Sequence, residues 1–124
     1  LIGEYGVLDG VPALVAAVDI RAYAHAPRPH LGEQSAERTA VVEASMRHAC
    51  VALCELGHQV DLRQETTPRV DSAAFRALDR KVGLGSSAAV CVSVVGHMLH
   101  RHGVALTPAH VHEIAAHAHR EAQG

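Results

Sequence analysis

The stretch of this chain best suited to chemistry is Lys81-Val82-Gly83-Leu84-Gly85-Ser86-Ser87-Ala88-Ala89. Gly83 and Gly85 let the backbone turn tightly and approach a ligand closely. Ser86 and Ser87 supply hydroxyls, and the apolar run that follows, Ala88 to Val95, reads as the start of a buried helix. The free N–H groups of that helix would point back at the loop, which makes an anion site suited to phosphate. A serine hydroxyl there can also ligate Mg²⁺, which bridges nucleotide phosphates. Lys81 is the single lysine among eleven basic side chains, and it stands just before the loop.

The loop is not a Walker sequence, which would end in Lys-Ser/Thr. It also follows a different plan from the protein-kinase glycine-rich loop, which lies between two strands. A glycine turn that merely caps a helix fits a bare Gly-x-Gly-Ser-Ser about equally well. The buried helix behind it tips the reading towards a ligand site.

Histidines are the other chemical resource, eleven in all. His97, His100 and His102 fall on one expected helix, and His110, His112, His117 and His119 on another. Ligand pairs on a helix need spacings of three or four, which His97 and His100 meet. His112-Glu113 to His117 is spaced five, so it is not the zinc-protease pattern. A solvated histidine-rich face is the better reading, with a metal-binding domain as the competing one. Cys50 and Cys54 share a helix face and read as packing residues. Glu43 and Arg47 read as a surface pair.

Composition bounds the class. The chain has 124 residues, about half of them apolar, with a net charge of −2. That suits one globular domain. It gives no basic excess for nucleic acid. The longest apolar runs, such as Val11 to Val18, are too short to span a membrane. Three cysteines, an odd number, argue against a disulfide framework and fit a reducing cytoplasm. Aromatics are Tyr5, Tyr23 and Phe75 alone, so Ala, Val and Leu must build the core.

The elements that would position the loop can be read in order. Leu1 to Leu8 and Ala13 to Ala24 read as two strands around the Asp9-Gly10 turn. Pro27 to Gln34 reads as loop. Ala36 to Leu56 reads as a helix with the stripe Val42, Met46, Ala49, Leu53 and Leu56, ended by Gly57. Gln59 to Thr66 alternates as a strand, closed by Thr67-Pro68. Asp71 to Lys81 is open between strand and short helix. Ser87 to His102 is expected as a helix apolar nearly all round in its first turns, ended by Gly103. Thr107 caps a last helix that starts with Pro108 and runs to about Ala122. This is an α+β pattern, with a mostly antiparallel sheet and helices on one side, rather than a run of βαβ units.

Two segments together resemble the GHMP small-molecule kinases. Gly83-Leu84-Gly85-Ser86-Ser87-Ala88-Ala89 is similar to their phosphate-binding motif. Leu1-Ile2-Gly3-Glu4-Tyr5-Gly6-Val7-Leu8-Asp9-Gly10, with Pro12-Ala13-Leu14 and Ala17-Val18-Asp19, resembles their opening hairpin, at fitting separation. Tyr5 after Glu4, Lys81 before the loop without a proline, and the closing Gln123-Gly124 favour the phosphomevalonate kinase branch, with mevalonate kinase as the alternative.

The resemblance implies a ribosomal protein S5 domain 2-like, amino-terminal ATP-binding domain spanning 1–124, cut at both ends. It implies ATP and Mg²⁺ as cofactors and phosphoryl transfer to a small anionic isoprenoid precursor in the cytoplasm. Lys81, Gly83, Leu84, Gly85, Ser86, Ser87, Ala88 and Ala89 would hold the ATP phosphates, Ser87 would meet the metal, and Glu4 and Tyr5 would lie on the substrate side. The family's catalytic aspartate would lie beyond Gly124, so the chain alone is expected to be inactive. Truncated sheet edges would favour a homo-oligomer. A non-catalytic nucleotide-binding or self-associating module is the alternative from another class.

Overall fold

The structure is a computed structural model that describes residues 10, 18–28, 39–77, 80–81, 85–105 and 107–123. Three helices of equal length dominate it: α1 (Ala40–Glu55), α2 (Ser86–Arg101) and α3 (Pro108–Gln123). Each packs against the other two. Two short antiparallel ribbons accompany them. In the first, β1 (Tyr23–His25) pairs with β2 (Arg69–Asp71), with Ala24 opposite Val70. In the second, β3 (Arg76–Ala77) pairs with β4 (Arg80–Lys81). The expected α+β class holds, but the described residues are mostly helical and their sheets have two strands each.

Helix α1 starts where the chain supplies a cap. Thr39 is extended at φ −70° and ψ 159°, and its hydroxyl accepts from the Val42 N–H at 3.3 Å. That satisfies one of the donors a helix start leaves free. The helix therefore begins at Ala40; residues 36–38 of the longer expected helix lie outside the described residues. Gly57 ends it in the left-handed region at φ 87°. The His58 N–H reaches back to the Leu53 carbonyl at 3.0 Å, and the Gly57 N–H to that of Cys54 at 2.9 Å, which closes a Schellman turn. Gly103 does the same after α2, at φ 72°, with the Val104 N–H on the Leu99 carbonyl. Thr107 caps α3 as its sequence suggests, its Oγ1 accepting from the His110 N–H at 3.4 Å.

The core lies where the three helices meet. Met46, Ala49 and Leu53 of α1, Cys91, Val94, Val95 and Met98 of α2, and Ala118 of α3 are fully buried. Four of the five stripe residues expected on α1 face inward. Leu56 does not: it follows the last helical residue and is 52% exposed. α2 is also less enclosed than its composition suggests. Ala88 is exposed and Val92 is 42% exposed, because β1 and the other helices cover only one side of it.

Between α1 and α2 one sequence expectation is corrected and one open reading is resolved. Gln59 to Thr66 is not a strand. Asp61 turns the chain by accepting from the Arg63 N–H at 2.9 Å, and the Gln64 N–H bonds the Asp61 carbonyl. A short aspartate side chain competes with sheet pairing in this way. Val60 and Leu62 still pack on the core, so the apolar alternation marks burial rather than a strand. The strand is β2, beyond the buried Pro68. The open segment 71–81 proves to contain both candidates: a single 3₁₀ turn at Ala73–Phe75 anchored by buried Phe75, then the β3–β4 ribbon. The expected first strand, Leu1 to Leu8, and residues 13–17 of the second lie outside the described residues. β1 occupies the end of that second run.

A candidate phosphate site at the start of the second helix

The loop expected to bind phosphate lies between β4 and α2, a strand–loop–helix arrangement. Gly85 is the N-cap residue of α2 and sits at φ 74°, ψ 34°. An L side chain rarely adopts that conformation, so glycine is required by the backbone. Space is not the reason, because a Cβ at Gly85 would meet no atom within 4 Å. Glycine also brings no side-chain oxygen to the cap. The first intrahelical bond is Ala89 N–H to the Gly85 carbonyl at 3.1 Å. The N–H groups of Ser86, Ser87 and Ala88 therefore have no acceptor within the helix. They converge with the positive end of the helix dipole just after the left-handed turn.

The side chains around this point suit a polyanion. Ser86 and Ser87 are half-buried, Ala88 is exposed and Ala89 is half-buried. Small side chains let a ligand approach the backbone. No carboxylate lies in the first turn of α2. Lys81 has its backbone in β4, four residues before Gly85. Its side chain lies outside the described residues, as do Glu4, Tyr5, Gly83 and Leu84. Of the site residues expected from sequence, Gly85, Ser86, Ser87, Ala88 and Ala89 are thus brought together at one helix start.

Beside that start runs an open cleft of about 400 Å³. Ala88, Ala89, Val92 and Ser93 form one wall, and Ile20, Arg21 and Ala22 the other. Arg21 pairs with Asp19 at 3.0 Å on the surface. Both residues fall in the run Ala13 to Ala24 that reads as a strand, but nothing in the sequence linked that run to the glycine loop. The link comes from β1 packing along α2.

The inner face of α2 is fixed by buried groups. Ser45 of α1 is fully buried, donates to the Val41 carbonyl at 2.7 Å, and also bonds Cys91 of α2. Burial pushes the Cys91 thiol up from its ordinary value, so it stays protonated and inert. His97, further along α2, has a buried Nε2 with no hydrogen-bond partner among the described residues. Burial, then Arg101, His100 and His25, holds its pKa below the ordinary 6.5. The unfolded chain takes up that proton more readily than the folded one. The stability associated with neutral His97 is therefore present above about pH 6.5 and lost as pH falls below it. Thermal melts at pH 7.5 and 5.5 should show a smaller acid-side loss in His97→Gln than in wild type. An equal loss in both would contradict that assignment.

The remaining histidines largely follow the solvated-face reading. His100, His110, His112 and His117 are exposed, and His119 is half-buried. Among the described residues no group of three metal-ligating side chains converges. The expected Glu43–Arg47 pair is present at 3.8 Å, but sequence missed its better partner. Arg47 and His48 both bond Glu121 of α3, tying the two helices together. That tie, His48 first, lowers the Glu121 pKa.

Residues 44–124 match the family described as the GHMP kinases N terminal domain, a span that includes most of α1, the Gly85 turn, α2 and α3. The chain belongs to the GHMP kinase family. Within it, the chain is 29% identical over 129 residues to a mevalonate kinase of Thermococcus sibiricus. The alignment covers 90% of this chain and 39% of that protein, so the chain spans well under half the length of the relative. No solved structure matches. The family model carries the family. Neither it nor the similarity to a mevalonate kinase distinguishes the phosphomevalonate branch that Tyr5, Lys81 and Gln123-Gly124 suggested. Among the described residues, no helix is long and apolar enough to cross a membrane.

Proposed function

We propose that this chain forms the nucleotide-phosphate site of a GHMP small-molecule kinase that uses ATP and Mg²⁺. The observation that carries the reading is the start of α2: a helix without a side-chain cap, behind a left-handed Gly85, in a Gly-x-Gly-Ser-Ser sequence that lies within the span matching the family. Convergent backbone N–H groups there would neutralise phosphate charge without any motion at the moment of transfer. The Ser87 hydroxyl (or that of Ser86) would meet the metal, and Lys81, Gly83 and Leu84 would complete the phosphate cradle. Mg²⁺ would supply charge neutralisation on the phosphates when bound. Glu4 and Tyr5 are proposed to lie on the acceptor side.

The acceptor is a small anionic isoprenoid precursor on this reading. Phosphomevalonate is favoured by the sequence features of the opening and closing segments. Mevalonate is favoured about equally by the similarity to a mevalonate kinase. Titrating each into nucleotide-loaded protein separates them.

The phosphate assignment is tested by calorimetry with a nucleotide series. Affinity should fall by about tenfold for each phosphate removed from ATP to ADP to AMP, as lost charge-assisted bonds require. A folded protein that binds adenosine as tightly as ATP would sink the proposal.

A further inference from the structure

The cleft beside α2 begins at the candidate phosphate site, because Ala88 and Ala89 belong to both. From there it follows one face of the helix to Val92 and Ser93, with Ile20, Arg21 and Ala22 opposite. Its volume of about 400 Å³ is at the small end for ligand clefts. Apart from Arg21 and Ser93, its described lining residues are apolar. Val92 is 42% exposed between buried Cys91 and Val94, so the cleft leaves apolar surface in water. Apolar walls around a concavity favour a ligand with a hydrocarbon body.

Arg21 is the one charged residue among the described lining. Its guanidinium donates from Nε to Asp19 Oδ1 at 3.0 Å. That bond orients the guanidinium plane and uses only one of its N–H groups. Nη1 and Nη2 have no partner among the described residues. An arginine edge with paired donors matches the geometry of a carboxylate. Asp19 itself is not part of the lining. Ser93 donates to the Val90 carbonyl at 2.9 Å, which leaves its oxygen able to accept from a hydroxyl.

We propose that this cleft holds the phosphoryl acceptor and that Arg21 selects it by its carboxylate, a refinement that rests on the kinase reading of the α2 start. Phosphoryl transfer needs the acceptor in contact with the terminal phosphate, and the cleft opens where that phosphate would lie. Charge decides between the possible occupants. The nucleoside of ATP is uncharged and gives Arg21 nothing to pair with. A small hydroxy acid with a short branched carbon chain presents a carboxylate, an apolar body and a hydroxyl, which match Arg21, the walls and Ser93 in turn. Mevalonate and phosphomevalonate both carry that carboxylate, so the assignment is the same for either. Arg21 holds the end of the acceptor away from the reacting hydroxyl. It sets specificity and takes no part in proton transfer.

The test is calorimetric titration of mevalonate and of its uncharged lactone into the protein, with and without the non-hydrolysable analogue Mg·AMPPNP. Wild type should bind mevalonate at least about tenfold more tightly than the lactone, as a hydrogen-bonded charge requires. Arg21→Gln should lose about tenfold for mevalonate and nothing for the lactone. Arg21→Lys should recover part of that loss, since it keeps the charge without the fork. A merely structural role for Arg21 would move both ligands together. Val92→Asp should weaken both by placing a charge on the apolar wall. Circular dichroism melts confirm that each variant is folded. Equal mevalonate affinities in wild type and Arg21→Gln, or no mevalonate binding in either condition, overturn the assignment. So does a Val92→Asp protein that loses affinity for ATP but not for inorganic tripolyphosphate, because that puts the nucleoside in the cleft. The kinase reading fails separately, when adenosine binds as tightly as ATP.

Discussion

Replacing Gly85 by valine is expected to lower the affinity for Mg·ATP at least about tenfold, because a β-branched residue cannot hold the left-handed turn that aims the α2 amides. The native φ at Gly85 is 74°. A Cβ there meets nothing within 4 Å, so the substitution does not fail through a clash. The backbone itself must move, at a cost of about 1–2 kcal/mol for an ordinary L residue in that region. Relaxation turns the Ser86, Ser87 and Ala88 N–H groups away from a common point. Gly85→Ala should show an intermediate loss. Gly96→Ala is the internal comparison. Gly96 lies in the middle of α2, also with nothing within 4 Å of a new Cβ, and without a positive φ. There alanine should stabilise the fold by about 1 kcal/mol and leave affinity unchanged. Calorimetric titrations and melts of the three variants check both halves. Equal affinities in Gly85→Val and wild type would mean that the turn does not shape the site.

The largest stability effect should come from Leu53→Ala, at about 2–5 kcal/mol. Leu53 is fully buried in the last turn of α1, in the cluster formed by all three helices. Its carbonyl also takes part in the turn that ends the helix, so its surroundings cannot collapse freely into the space left. A domain of this kind has only about 5–15 kcal/mol in total, so the loss removes a large share. Denaturant melts should show a lower midpoint. A change below 1 kcal/mol would mean that the three helices pack far more loosely than described. Leu56→Ala, three residues on but half exposed, should change stability little.

Much of the helical layer can be read from residue types. Gly57, Gly103 and Thr107-Pro108 act as punctuation through hydrogen bonds that involve two or three neighbouring residues, whereas Thr39, expected inside the first helix, proves to be its cap. Such local rules hold whatever the rest of the fold does. The spacing of Val42, Met46, Ala49 and Leu53 likewise reports one buried face. The strands were less legible. β1 and β2 each have three residues and are joined only through pairing across the fold, which no local pattern encodes. Gln59 to Thr66 alternates like a strand, yet Asp61 captures the backbone into a turn. α2 shows a third limit: its composition is apolar, but exposure depends on what packs beside it, and Val92 is left uncovered.

The site divides along the same line. The start of α2 could be read because glycine, serine and a following helix create an anion site by local geometry alone. The cleft wall at Ile20, Arg21 and Ala22 could not, since it depends on where β1 lies along α2. The Glu121 bridge was hidden for a similar reason. Glu121 is 74 residues from Arg47, and only the packing of α3 on α1 brings them together.

The most direct test of the central claim is a two-dimensional ¹H–¹⁵N spectrum recorded as Mg·ATP is added. The account predicts that the largest amide shifts fall on Ser86, Ser87 and Ala88, that adenosine fails to reproduce them, and that Ser87→Ala diminishes them. Amide shifts confined to other parts of a folded protein, or no shifts at saturating nucleotide, would contradict a phosphate site at the start of α2.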